Sequence, residues 1–167
     1  MSTEGQAAFL ERIDRHRGIL FRVANAYCRS REDREDLVQE TIAQLWRSFA
    51  RFDGRGAFST WMYRIAMNVA ISFRRSETRK RRLGEMPESI LERLPALPEP
   101  ESDDRVELVH ELIEQLSALD RGLMLLYLDD YPYAEIAAIL GISESNVGTK
   151  INRIKDRLKR NAAPAKA

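Results

Sequence analysis

One cysteine and two histidines in 167 residues leave little from which to build a metal or redox centre. Cys28 cannot form an intramolecular disulfide, and with only His16 and His110 beside it no zinc site of Cys and His ligands can be assembled. No metal and no cofactor are therefore expected. The chain also lacks any apolar run of about 18 residues, so no membrane insertion is expected. Its first residues, MSTEGQAAFLERIDRHRG, carry charges where a signal peptide needs an apolar stretch, which points to the cytoplasm. No segment alternates apolar and polar residues over a useful length, which leaves strands without a signal.

A marked excess of one charge is missing too: 27 Lys+Arg stand against 26 Asp+Glu, for a net +1. Taken whole, that balance argues against a nucleic-acid binder. By segment it reverses. Residues 1–82 hold 17 basic and 10 acidic side chains, residues 83–120 hold 2 and 11, and residues 121–167 hold 8 and 5. Two basic blocks around an acidic one fit polyanion binding by two modules joined through an acidic connector.

What the sequence does contain is helical periodicity. Phe9, Ile13, His16, Leu20, Val23 and Tyr27 recur at steps of three and four, predicting a helix over about 6–29. Ser30 with Asp33, or Asp33 with Asp36, can cap a second helix striped by Leu37, Thr41, Leu45 and Phe49, which Asp53-Gly54-Arg55-Gly56 ends. A third begins near Ser59 and carries Trp61, Ile65, Val69 and Phe73 before the basic run Arg74 to Arg82. Residues 83–104 then read as a linker, interrupted by Pro87, Pro95, Pro98 and Pro100, with room for a short helical turn at 88–94. Val106, Val109, Ile113 and Leu116 mark a fourth helix, and Asp120 can cap a fifth through Leu123, Met124 and Tyr127. The expected architecture is all-α: two small helical domains, 1–82 and 105–167, joined by the acidic, proline-rich linker 83–104.

The most informative stretch is YAEIAAILGISESNVGTKI, from Tyr133 to Ile151. Ala137 is small enough for two helices to approach, Gly141 permits a tight turn, and Val147 fills the angle between them, the pattern of a helix-turn-helix. Ser143 can cap the second helix. Val147, Ile151, Ile154 and Leu158 turn inward, leaving Ser145, Asn146, Thr149, Lys150 and Arg153 outward. Asn pairs with an adenine edge, and Lys or Arg with guanine or phosphate, so this face is suited to DNA.

Both modules together resemble a known family. The run from Arg31 through Thr41, Leu45 to Phe49, and Phe52 through Ala70 is similar to region 2 of an extracytoplasmic-function (ECF) RNA polymerase sigma factor of the sigma-70 family, and the helix-turn-helix to its region 4. The likeness covers about residues 9–82 and 105–160, in the family's order. It implies a non-enzymatic subunit that binds core RNA polymerase and directs initiation at promoters, commonly held by an anti-sigma factor. The core-polymerase contact maps onto Glu32, Asp33, Glu35, Asp36, Leu37, Gln39, Glu40 and Trp46. Minus-ten recognition and melting map onto Phe58, Trp61, Arg64, Asn68, Arg74 and Arg75, with Asn68 in the family's base-reading position; Phe58 and Asn68 are expected to contact bases ahead of Trp61. Minus-thirty-five recognition maps onto the outward face from Ser145 to Arg153. In relatives the linker threads the polymerase's active-site cleft and RNA-exit channel, where acidic charge suits a positive surface.

Two residues depart from the pattern. Gly148 stands inside the recognition helix, where glycine costs about 1 kcal/mol relative to alanine, and predicts close approach of DNA or a neighbouring helix. Leu126 stands where a basic residue is common in the family. Two other classes are distinguishable from a sigma factor. A free-standing helix-turn-helix repressor or activator would use residues 6–82 for dimerisation or effector binding and would not bind core polymerase. A metal-dependent nuclease would use Glu32, Asp33, Asp36 and Glu40, of which Asp33, Asp36 and Glu40 share a helical face, but no histidine or substrate-positioning loop accompanies them.

Overall fold

The computed structural model describes residues 2–73, 86–98 and 104–162. The described residues form nine α-helices and no strand, and they divide into two compact units, 1–98 and 99–167.

The first unit opens with a difference from the sequence expectation. The predicted single helix is two, α1 (Thr3–Arg15) and α2 (Arg17–Tyr27), separated at His16 with φ −113° and ψ 17°. The His16 amide bonds to both the Arg12 and Ile13 carbonyls at 3.2 Å, and its ring Nδ1 lies 3.0 Å from the Arg12 carbonyl. A side chain competing for a helical carbonyl in this way ends the regular ladder. Helix α3 (Arg31–Phe49) starts at Ser30, whose Oγ accepts the Asp33 amide at 3.0 Å, the first of the two capping arrangements. The chain then turns at Gly54, whose φ of +75° favours glycine, and α4 (Phe58–Ile71) follows.

The core of this unit sits among α2, α3 and α4. Leu20, Val23 and Ala24 of α2 meet Leu37, Ile42 and Leu45 of α3 and Met62, Ala66 and Met67 of α4, while α1 adds Phe9 and Ile13. Full burial of each large side chain stabilises the fold by about 1.5–3 kcal/mol. Tyr63 is fully buried, and its hydroxyl accepts the Arg22 Nε–H at 3.3 Å. Beyond the undescribed stretch, the short helix α5 (Glu88–Leu91) belongs to the same unit: Met86 and Ile90 are buried, and the Ser89 hydroxyl donates to Gln6 Oε1 of α1 at 2.8 Å. Part of the segment read as linker is thus packed rather than only solvated.

The second unit contains α6 (Asp104–Glu114), α7 (Ala118–Leu128), α8 (Tyr133–Leu140) and α9 (Glu144–Ala162). Ser117, not Asp120, caps α7; its Oγ accepts the Asp120 amide at 3.2 Å. Serine's short side chain reaches that amide while Asp120, one turn on, stays available elsewhere. Asp130, at φ +61°, turns the chain into α8, and Gly141, at φ +70°, ends α8 in the left-handed conformation expected of a turn glycine. Leu123, Leu126, Ile136, Ile139, Val147, Ile151 and Ile154 make the core. Leu126 is completely covered, which accounts for an apolar residue there.

Candidate functional site

In the second unit, α8 and α9 hold the recognition surface. The Ser143 Oγ accepts the Asn146 amide at 3.2 Å and starts α9, as the sequence predicts. Val147, Ile151 and Ile154 then fix the helix against α7 and α8. Ser145, Asn146, Thr149 and Arg153 are exposed, and the Thr149 hydroxyl donates to the Ser145 carbonyl at 3.1 Å. Lys150 differs. It is half-buried on the flank of the helix, with its amine 3.9 Å from an Asp120 carboxylate oxygen. A partly desolvated pairing of this kind costs part of the freedom a DNA-contacting lysine would use.

The opposite flank of α9 is held by aromatic residues. A side-chain carbon built on Gly148 would lie 3.5 Å from Tyr133 Cε2, ordinary contact distance, so the neighbouring Tyr133 ring of α8 leaves room for one there. Lys155 donates to the Tyr127 hydroxyl and lies 4.4 Å from that ring's centroid. That hydrogen bond, donated by Lys155 to the Tyr127 hydroxyl, is the main reason the Lys155 pKa is raised above its ordinary value. At the far end, Arg157 donates to the Gln115 carbonyl at 3.1 Å and Asn161 to Gln115 Oε1 at 2.8 Å. Polar ties on both flanks orient the helix and leave its outer face clear.

In the first unit, α4 turns Met62, Tyr63, Ala66, Met67 and Ala70 inward and presents Trp61, Arg64 and Asn68 along the opposite side, at spacings of three and four. Arg64 and Asn68 are exposed and Trp61 is partly so. Phe58 is not presented with them. At 9% exposure its ring packs against Phe52 at 5.5 Å, Trp61 at 5.2 Å and His16 at 5.3 Å, so in the free chain Phe58 lies within the aromatic wall and Trp61 on its surface. Both residues fall on the same side of α4, and the packing of Phe49, the last residue of α3, and of Phe52 just beyond it decides which is covered. Arg74 and Arg75 lie outside the described residues.

Helix α3 carries the acidic face. Glu32 and Glu35 are exposed, and Asp33, Asp36, Gln39 and Trp46 are half-exposed. Glu35 pairs with Arg31 at 3.1 Å, an exposed pair worth little in stability. Trp46 sets its ring edge-on to Phe9 at 5.2 Å. Leu37, mapped with this face, is 1% exposed and belongs to the core, in keeping with its place on the helix's apolar stripe, and Glu40 is likewise buried. A five-residue acidic run spans more than one helical turn, so some of its neighbours must face inward. Among the described residues, no three His, Cys, Asp or Glu side chains gather as a metal site, and no helix is long and apolar enough to cross a membrane.

Comparison with known proteins covers both units. The Sigma-70 region 2 family matches residues 12–80, and the Sigma-70, region 4 family matches residues 107–158. The ECF RNA polymerase sigma-E factor of Salmonella typhimurium is 29% identical over 143 residues, 79% of this chain and 75% of that protein. Two solved structures share the fold. One is the sigma factor RpoE in complex with the anti-sigma factor NepR from Bartonella quintana, with a TM-score of 0.66 and 21% identity over 92% of this chain and 95% of that one. The other is CnrH in complex with the cytosolic domain of CnrY, with a TM-score of 0.63 and 22% identity over 93% and 87%.

Proposed function

The chain belongs to the sigma-70 family, in its extracytoplasmic-function branch of non-enzymatic factors for promoter-specific initiation by RNA polymerase, and from that premise we propose how its two units divide the work. The first unit binds core polymerase through the acidic face of α3, with Glu32, Glu35, Asp36 and Gln39 as the charged and polar contacts and the half-exposed Trp46 as the apolar one. Carboxylates suit a protein partner there, since they would repel a phosphate backbone. The same unit reads and melts the minus-ten element with Trp61, Arg64 and Asn68. Melting without ATP requires that unstacked bases be held by protein, and each base stacked on an aromatic ring contributes roughly 1–3 kcal/mol towards the cost.

The second unit reads the minus-thirty-five element in the major groove with Ser145, Asn146, Thr149 and Arg153, while Lys150 acts near the phosphates from the helix flank. The acidic linker separates the two units, and the cytoplasm, where polymerase and promoter meet, is the site of action. An anti-sigma factor is the expected regulator, as both structural relatives are bound to a second protein. A free-standing helix-turn-helix regulator is not favoured, because it leaves the match of residues 12–80 to sigma-70 region 2 unused.

The observation that carries this reading is the presence of both family regions, in order, in one chain. Pull-down of core polymerase by the purified chain, followed by promoter-specific transcription, tests it. Absence of core binding refutes it.

A further inference from the structure

We propose that Arg12 of α1 is an additional DNA contact, gripping a phosphate of the promoter strand that lies on the Trp61 wall. This rests on the reading of the first unit as the minus-ten module. Helix α1 carries Arg12 and Arg15, and Arg17 follows across the His16 break. Two of the three are neutralised locally: Arg15 pairs with Glu11 at 2.8 Å and Arg17 with Asp14 at 3.4 Å. Among the described residues, no carboxylate pairs with Arg12.

Its guanidinium instead lies on aromatic rings. The central carbon is 5.9 Å from the Phe49 centroid, 5.4 Å from Phe52 and 5.5 Å from Phe58. Those rings adjoin Trp61, which is 5.0 Å from Phe52 and 5.2 Å from Phe58. A guanidinium laid against aromatic faces is oriented without spending its N–H donors, and it keeps its full charge. The residue is exposed, so those donors face solvent. An oriented, unpaired fork beside an aromatic surface matches a phosphate flanking a stacked base: the ring side takes the base and the fork takes the backbone oxygens. The His16 break contributes to the placement, because its ring and amide both engage the Arg12 carbonyl.

The test uses the full chain assembled with core RNA polymerase and a fork-junction DNA probe. The probe's sequence is selected by that holoenzyme from a random library, and its minus-ten strand is unpaired. Equilibrium binding is measured across a salt series for wild type, Arg12→Gln, Arg12→Lys and Asn68→Ala, with thermal melting of each free chain alongside. Arg12→Gln should weaken binding roughly ten-fold, the loss of one charge-assisted bond. It should also lower the salt slope by about 0.7, the value for one phosphate on a single strand. Arg12→Lys should keep the slope while losing affinity, since charge remains and the fork is gone. Unchanged affinity and slope in Arg12→Gln, with Asn68→Ala impaired, overturn the proposal alone. A fall in melting temperature with an unchanged slope makes Arg12 only a tie between helices and also overturns it. If Asn68→Ala binds as wild type does, the minus-ten reading itself fails and this proposal falls with it.

Discussion

Replacing Gly148 by alanine should stabilise the second unit. Glycine within a helix costs about 0.8–1.0 kcal/mol relative to alanine, and α9 runs through this position without a break. The new methyl group would meet Tyr133 Cε2 at 3.5 Å and Cδ2 at 3.9 Å. Neither distance is a clash, and two carbon pairs at such separations add about 0.2–0.4 kcal/mol of attraction. A net gain of about 1 kcal/mol corresponds to roughly a five-fold shift in a local opening equilibrium. Amide hydrogen exchange across 144–162 in the full chain reads that shift directly, as slower exchange that leaves the first unit unaffected. Faster or unchanged exchange would refute the reasoning, because the space beside Gly148 would then not be free. Promoter binding gives the second half of the test. If alanine stabilises the unit yet weakens promoter affinity, the bare backbone is needed by DNA; if affinity holds, neither DNA nor the Tyr133 ring requires glycine there. Gly148→Lys extends the comparison, since its longer chain must displace Tyr133 or pass it, and unaltered promoter preference would rule out a role for this position in selectivity.

Other outcomes follow from the same surfaces. Ile90→Ala should destabilise the first unit by about 2–5 kcal/mol, as expected for a fully buried residue; a melting curve of the full chain unchanged from wild type would mean that α5 is not part of that fold. Reversal of two acids of that face, Glu32→Lys with Asp36→Lys, should reduce capture of core polymerase by at least about ten-fold. Arg64→Glu should leave capture intact and abolish promoter opening, scored by reactivity of unpaired thymines. Arg153→Ala should weaken minus-thirty-five binding and reduce the salt slope by about 0.9, whereas Lys150→Ala should cost less because Asp120 already holds that amine. Equal effects would contradict the flank position of Lys150.

The chain's periodicity was sufficient for its class and order of helices, since an apolar residue every three or four positions has few ways to bury itself. The helix-turn-helix was equally legible: Gly141 must adopt a left-handed backbone to close the turn, and Ser143 must satisfy the first amides of α9, so residue type and spacing determine both features. Local rules were weaker where two candidates compete for one role. Ser117 rather than Asp120 caps α7, and the helix expected through His16 breaks there because its ring engages a backbone carbonyl.

Surface assignment was the part that only tertiary structure decided. Glu40, mapped with the acidic face, is covered by the core, and Phe58 lies behind Trp61 because Phe49 at the end of α3 and Phe52 just beyond it close over it. Met86 and Ile90, in a proline-broken acidic stretch without periodicity, are buried by contacts far away in sequence, of which the Ser89 bond to Gln6 is one mark. Arg12 looks like any basic residue on a charged helix until three distant rings gather beneath it. Helix, turn and cap are local arrangements, set by a few neighbouring residues. Exposure and charge pairing depend on which elements meet, and that is fixed only when the whole unit packs.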